Sequence, residues 1–352
     1  MENDERIELD HGGGGYKSWQ LLQEVRGILK SRGDWQNCED DAAVYDLSHL
    51  VIPAPDRVEG KAPAACLPAR QGIQSKLVFT SDGFIVDPIF FPGGDIGKIA
   101  MCGTINDLSV MGAKPLGISL SIVIEEGFPK KDLLKIIGSI NKVSEESGVP
   151  VVTGDTKVTP KGKLDKIEIT TSGVGITDKI IPNNGINPGD VIITSGDLGE
   201  HSVTLLASRF NYKTKLQTDS KPLNKDIEKV KDYLNACKDP TRGGLAANIV
   251  EMAEKSKVKI ILDETTLPYK KEVIAVSELL GIDIFSLASE GRFIAAVSPD
   301  DKGQALAILR KFNPEAKIIG RAEKGSGVYL KTKLSALRPI EMPKGKLIPR
   351  IC

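Results

Sequence analysis

The stretch "DKIIPNNGINPGD", residues 178 to 190, gathers proline, asparagine and glycine so densely that it reads as a linker. On either side the chain alternates β-branched runs with segments of helical period, so each half has to close an α/β core of its own. The 352 residues suit that division, being too many for one ordinary core and enough for two of roughly 150 each. The sequence is therefore read as an N-terminal domain over 1–178, a C-terminal α/β domain over 190–337 and a tail over 338–352. That tail, "RPIEMPKGKLIPRIC", holds three prolines and no period, and predicts an extended, mobile arm.

Within the first half, Leu21, Leu22, Val25, Ile28 and Leu29 form one helical stripe over 17–32. "SKLVFTSDG" predicts a strand ending in a turn at Asp82-Gly83. "GKIAMCGTINDLSVMGA" places Ile99, Cys102, Ile105 and Leu108 at helical spacing, with Asn106 and Asp107 beside the stripe. "PLGISLSIVIEEG" is strand-like, Pro129 suits a helix first turn, and "VPVVTGDTKV" reads as strand followed by polar loop. The second half repeats the theme with "DVIITSG", "KVKIILDE", a helix from about Lys271 and "RFIAAVS". Residues 53–75, rich in proline and alanine, interrupt the pattern as an exposed insertion or disordered loop.

Forty-seven basic residues balance forty-seven acidic ones, which argues against nucleic acid and membrane surfaces as partners. No apolar run approaches the roughly 20 residues of a spanning helix, and "MENDERIELD" is charged where a secretory signal is apolar. A cytoplasmic location is expected. Cys38, Cys66, Cys102, Cys237 and Cys352 are odd in number and include no C-x-x-C pair, so free thiols are expected rather than disulfides or structural zinc.

The common nucleotide fingerprints are missing: "GGDIGKI" has the wrong glycine spacing for a P-loop, and no G-x-G-x-x-G follows a strand. Aspartate recurs instead where strands were expected to end, at Asp40 and Asp41, Asp82, Asp107, Asp155 and Asp239. Each taken singly reads as a turn former or helix cap. Brought together they repel unless a cation joins them, and Mg²⁺ with bound phosphate suits hard oxygen ligands. "HGGGG", His11 to Gly15, offers consecutive unobstructed amides to phosphate; its alternative is a flexible arm. His11 and His201 stay ambiguous. The final cysteine is not a prenylation site, since Pro349 stands fourth from the end. Its own carboxylate raises the thiol pKa, so reactivity needs a compensating cation.

The order "LDHGGGG", "FTSDGFIVDPIFFPGGDIGKIAMCGTINDLSVMGAKP", "EEGFP", "VVTGDTKV", "DPTRGG", "SEGR" and a closing "PRIC" resembles the HypE family of hydrogenase maturation factors, within the PurM-like superfamily. The resemblance covers nearly all the chain outside the 53–75 insertion. It implies two α/β domains, with N-terminal strands joined to those of a second copy in a dimeric barrel. It also implies ATP- and Mg²⁺-dependent dehydration of a carbamoyl group on Cys352 to an S-cyano group, as cyanide for [NiFe]-hydrogenase iron. The implied partners are the carbamoyltransferase HypF and the HypC–HypD complex. By motif position Asp41, Asp82, Asp107, Asp155 and Asp239 become the metal ligands. His11, Gly12, Gly13, Gly14, Gly15, Asn106, Thr156 and Thr241 join those aspartates in holding the nucleotide. Lys157 and Glu290 become candidates for proton removal; their plainer alternatives are a solvated lysine and a partner for Arg292. Glu200 and Pro240 depart from the aspartate and alanine of the pattern. The rivals are a selenophosphate synthetase, which needs a reactive cysteine near the glycine-rich loop where 11–16 has none, and a non-catalytic assembly scaffold with a docking tail.

Overall fold

The computed structural model describes residues 15–28, 35–36, 40–47, 75–344, 348 and 350–352. His11, Gly12, Gly13 and Gly14, residues 53–74 of the expected insertion, Cys38 and Cys66 lie outside them.

The N-terminal half runs α1 (Tyr16–Ile28), β1 (Trp35–Gln36), β2 (Ala43–Asp46), β3 (Lys76–Phe84), β4 (Phe90–Phe91), β5 (Gly94–Asp95), α2 (Ile96–Val110), β6 (Lys114–Glu125), α3 (Lys130–Ser147), β7 (Val151–Thr159) and β8 (Ile167–Thr177). Six of the strands form a sheet of order β1-β2-β3-β8-β6-β7, antiparallel except for the β6–β7 pair. Along β8, "IEITTSGVGIT" alternates buried and half-buried positions, the period-two pattern of a sheet with one face on a core. Against that face lies α2, mostly apolar and nearly all buried, with α3 packed on it. Each fully buried isoleucine there, such as Ile96, Ile99 and Ile105, contributes roughly 1.5–3 kcal/mol. Gly173 lets α2 approach, because a Cβ there would meet Thr104 Cγ2 at 2.7 Å. The Asp95 side chain caps α2 by accepting from the Lys98 amide at 3.0 Å, and Gly148, at φ +76°, ends α3.

The C-terminal half continues with β9 (Val191–Thr194), α4 (Glu200–Arg209), α5 (Asn224–Val230), β10 (Leu234–Lys238), α6 (Gly244–Ser256), β11 (Lys259–Asp263), α7 (Lys271–Leu280), β12 (Ile294–Val297), α8 (Lys302–Leu309), β13 (Lys317–Glu323), β14 (Gly327–Lys331) and β15 (Leu337–Ile340). Its seven-stranded sheet has the order β10-β12-β9-β13-β11-β14-β15. The architecture is a two-domain, mixed α/β fold of the PurM-like kind. No helix among the described residues is long and apolar enough to cross a membrane. Cys102, Cys237 and Cys352 are free thiols.

Three local expectations change. Asp82-Gly83 is no turn: both residues pair within β3, opposite Thr171 and Thr170 of β8. "GDTK" is strand rather than loop, since Gly154, Asp155, Thr156 and Lys157 continue the ladder of β7 with β6. Polar composition misleads at both places because each strand has a face off the core. The arm also begins later than residue 338, because 337–340 pair with β14 as the edge strand β15.

Candidate active site

Strand β3 and helix α2 cross with threonine and aspartate exchanged between them. Thr80 and Asp82 share a face of β3 at spacing two, and Thr104 and Asp107 share a face of α2 at spacing three. Thr104 donates to Asp82 Oδ2 at 3.1 Å, and the Thr80 hydroxyl lies 3.0 Å from Asp107 Oδ2 and 3.1 Å from the main-chain oxygen of Asp41. Asp239, at the end of β10, completes the group from the other domain. Loss of solvent pushes the Asp107 carboxyl well above the usual carboxylate range, and the charges of Asp82, Asp239 and Asp41 push it further. Asp239 is raised to about 7 by burial and by Asp41, against the pull of Lys238. Asp41 and Asp82 are raised as well, chiefly by burial.

Among the described residues no three His, Cys, Asp or Glu side chains stand ready as a metal shell. The expected ligand set is not preassembled because Asp41 is ion-paired with Lys238, while Asp155 lies elsewhere. What the cluster does have is the donor chemistry. Asp82, Asp107 and Asp239 are oxygen donors whose mutual repulsion a divalent cation relieves, and Asp41 Oδ2 is buried without a partner.

The second half of the site is the loop before β12. Gly291 permits its path, since a Cβ there would sit 2.1 Å from the Asp219 carbonyl oxygen. Arg292 pairs with Glu200 at 3.2 Å and donates to the Asp197 carbonyl at 3.0 Å, and Glu200 also receives Lys270 at 2.6 Å. Arg292 is thus satisfied by Glu200, and Glu290 is left 2 % exposed with Oε1 unpartnered. Burial raises the Glu290 carboxyl well above its ordinary range, with Asp239 and Asp219 adding to the effect and Arg242 opposing it. Asn106 belongs to the scaffold of this loop. Its amide nitrogen donates to the carbonyls of Glu290 (3.0 Å) and Lys221 (3.1 Å), and its oxygen accepts from the Leu223 amide at 2.8 Å. A side chain so engaged has little left for a nucleotide, which revises the expected role.

The tail enters between these halves. Ile85 N–H donates to the Cys352 carbonyl and Asp87 N–H to the Arg350 carbonyl, both at 3.2 Å, so the last residues lie antiparallel to 85–87. Ile351 is buried in the N-terminal core, and Cys352 and Ile348 pack against it. Loss of solvent pushes the Cys352 thiol up to about 12; Glu290, Asp82 and Asp239 raise it and Arg242 lowers it. Cys352, Asp82, Glu290 and Asp107 all raise the Arg242 pKa, against the opposing effect of burial. The final thiol therefore lies within electrostatic reach of the acid cluster. Arg242 acts on it from the loop before α6, where Thr241 precedes it in the chain.

Asp155, Thr156 and Lys157 are not brought there within one chain. Asp155 lies in the row Asp155–Ser121–Thr170–Gly83, three strand spacings or about 14 Å from β3. Lys157 pairs with Asp155 at 2.9 Å on the exposed edge, where Asp155 and Thr156 line a groove of about 500 Å³ with Leu120 and Val152. Of the glycine-rich start only Gly15 is described, at the head of α1, where its carbonyl accepts from the Trp19 amide. Arg242, Lys238, Asp219 and Arg209 were not singled out as site residues. Arg242 and Lys238 flank Asp239 in sequence, which is a usable signal; Asp219 and Arg209 carry none.

Residues 39–177 match the N-terminal domain, and 187–333 the C-terminal domain, of AIR synthase related proteins. A putative hydrogenase expression/formation protein of Methanocaldococcus jannaschii is 47 % identical over 99 % of this chain and 100 % of its own length. The carbamoyl dehydratase HypE of Cupriavidus necator is 37 % identical over 99 % of this chain and 95 % of its own. Among solved structures, a HypE–HypF complex matches with TM-score 0.79 at 34 % identity, covering 92 % of this chain and 99 % of that one. HypE in complex with ATP matches with TM-score 0.76 at 32 % identity, covering 99 % and 100 %.

Proposed function

This chain belongs to the AIR synthase related family and, within it, to the HypE proteins of hydrogenase maturation, and on that premise we propose that it uses ATP to dehydrate a carbamoyl group carried on its own Cys352. The observation that carries the reading is the docking of the tail, which ties the Cys352 carbonyl to the Ile85 amide and brings the thiol within electrostatic reach of Glu290, Arg242, Asp82 and Asp239.

The chemistry balances as follows. The thiocarboxamide oxygen takes the γ-phosphoryl group of ATP, the C–O bond breaks with phosphate as leaving group, and both nitrogen protons depart, leaving S–C≡N, ADP and phosphate. Glu290, desolvated and unpaired, is a strong base once ionised and is the candidate for proton removal. Arg242 faces the negative charge that develops on the departing oxygen. Asp82, Asp107 and Asp239 are the candidate magnesium ligands, and the metal would neutralise nucleotide phosphates there. Asp41 becomes available only if Lys238 releases it.

The partners follow from the same reading: HypF as the carbamoyl donor, the HypC–HypD complex as the acceptor of cyanide, and a second copy of this chain. The exposed β7 supports the last, because Val152 and Val158 stand 65 % and 69 % exposed on an edge that another sheet can cover. In such a dimer Asp155, Thr156 and Lys157 would serve a site shared between chains. The reaction belongs in the cytoplasm, where ATP and reduced thiols are available.

Intact-mass measurement after incubation with ATP, Mg²⁺ and carbamoyl-charging HypF tests the function. Cys352 should first gain a carboxamide and then lose one water. Loss of water without ATP, or modification mapped to another cysteine, defeats the proposal.

A further inference from the structure

The docked tail is gripped by groups that read its main chain. His201, the second residue of α4, is fully buried, with Nε2 2.8 Å from the carbonyl oxygen of Ile351 and Nδ1 2.8 Å from the Thr218 hydroxyl. The protons on this relay are fixed by chemistry. A carbonyl only accepts, so Nε2 carries the hydrogen. The Ser220 amide donates to Thr218 Oγ1 at 3.1 Å, which leaves the threonine hydrogen for Nδ1. Both ring nitrogens are thereby satisfied in the neutral tautomer, the form that burial favours by lowering the His201 pKa. Phe91 packs edge-on against the ring at 5.5 Å and holds its plane.

Two turns along the same helix, Arg209 joins the tail to the segment it lies beside. Its Nε and Nη2 donate to the Asp87 carbonyl at 3.1 and 2.6 Å, and Nη2 reaches the Arg350 carbonyl at 3.2 Å. Arg350 itself adopts φ +53°, a left-handed conformation that a residue with a Cβ takes up at a cost, and its guanidinium pairs with Asp165. Insertion is thus bought with strain and held by a few polar contacts, the balance expected of a segment that must leave again.

We infer that His201 and Arg209 are positioning residues that latch the tail by its last carbonyls and thereby set Cys352 at a fixed depth beside Glu290. The inference rests on the reading of Cys352 as the carbamoyl carrier. Because the contacts of His201 and Arg209 are to main-chain oxygens, the latch counts residues from the end of the tail; side chains are read separately, Ile351 by its pocket and Arg350 by Asp165. Carrying the group and presenting it to ATP become separable, since the latch acts on the second alone.

Peptide-mapped alkylation of Cys352 by iodoacetamide, in the full-length protein without ATP or partner, reads tail docking independently of the reaction. His201→Ala and Arg209→Ala should each speed alkylation by about tenfold, the factor that loss of one net hydrogen bond gives. His201→Gln, whose amide can still donate to the Ile351 carbonyl, should recover most of the protection. With HypF and ATP supplied, the variants should load the carbamoyl group at wild-type rate but lose water about tenfold more slowly, with the ATP requirement unchanged. Arg209→Ala, at a half-buried site, guards against misfolding of the histidine variant. Alkylation as slow in both alanine variants as in wild type, or equal dehydration per loaded chain, overturns the latch. Failure of wild type to dehydrate would overturn the proposed function and leave the alkylation result standing.

Discussion

The amide nitrogen of Asn106 donates to the main-chain oxygen of Glu290 across 3.0 Å, so the helix that carries Asp107 is tied directly to the loop that carries the candidate base. Asn106→Ala would also orphan the buried Leu223 amide, and should cost about 2–3 kcal/mol. The melting temperature should fall by several degrees, and dehydration should fall further than ATP binding because the two domains lose their register. An unchanged melting curve would show that the contact does not join the domains.

The acid cluster makes opposite demands on stability and function. Asp107→Asn removes a carboxyl that repels Asp82 and Asp239, and should leave the metal-free protein as stable as wild type or more so. The same change, and Asp82→Asn, should abolish Mg²⁺-dependent ATP binding by calorimetry. Undiminished binding in both variants, or binding indifferent to EDTA, would remove these residues from the site.

A pH dependence follows with a definite sign. The folded pKa of Asp239 lies near 7 against 3.8 for the free side chain, so between about pH 4 and pH 7 the native protein holds more protons than the unfolded chain. Metal-free stability should fall as pH rises through that window, with Asp107 extending the trend upward. Mg²⁺ competes with those protons, so its stabilisation should grow with pH. Thermal melts in EDTA and in Mg²⁺ that run parallel across the range would exclude metal binding by this cluster.

Much of this was legible in the sequence because period and punctuation are local properties. The stripe from Ile99 to Leu108 gave α2, Pro129 marked the start of α3, and the restart at "DVIITSG" gave β9. Asp82 and Asp155 were misplaced at strand ends because Gly83 and Gly154 read as breakers. Pairing with Thr170 and Leu120 decides otherwise, and pairing is not a local property. Asp82, Asp107 and Asp239 were legible as a set through their residue type. Asn106 was read as a ligand because nothing in "INDL" reveals that Glu290, Lys221 and Leu223 will surround it. His201 stayed ambiguous for the same reason: its partner is 150 residues away.

The β7 edge predicts a dimer whose two sites are shared. Val152→Lys with Val158→Lys should shift sedimentation at micromolar concentration toward the monomer. Lys157→Ala and Cys352→Ala should each be inactive alone, yet regain activity when mixed, because one chain supplies the thiol and the other the lysine. Mixed chains that stay inactive while forming dimers would place Lys157 outside the partner's site.

The last prediction concerns the end of the chain. With 337–340 held in the sheet, the arm is the 12 residues after Ile340, and at about 3.5 Å each it spans at most about 40 Å. That reach allows Cys352 to meet a partner outside and the acid cluster inside without moving either domain. The inserted state leaves it little freedom, since the Ile351 side chain is buried and the Cys352 carbonyl accepts from Ile85. Cys352→Ala should keep the fold and ATP binding while abolishing carbamoylation. One glycine added after Cys352 should spare carbamoylation, which on the proposed reading takes place with the tail outside, and slow dehydration, because the extra residue must fit where the Cys352 thiol is presented to Glu290 and Arg242. An extended chain that loses water as fast as the wild type would show that the site does not require the thiol on the last residue.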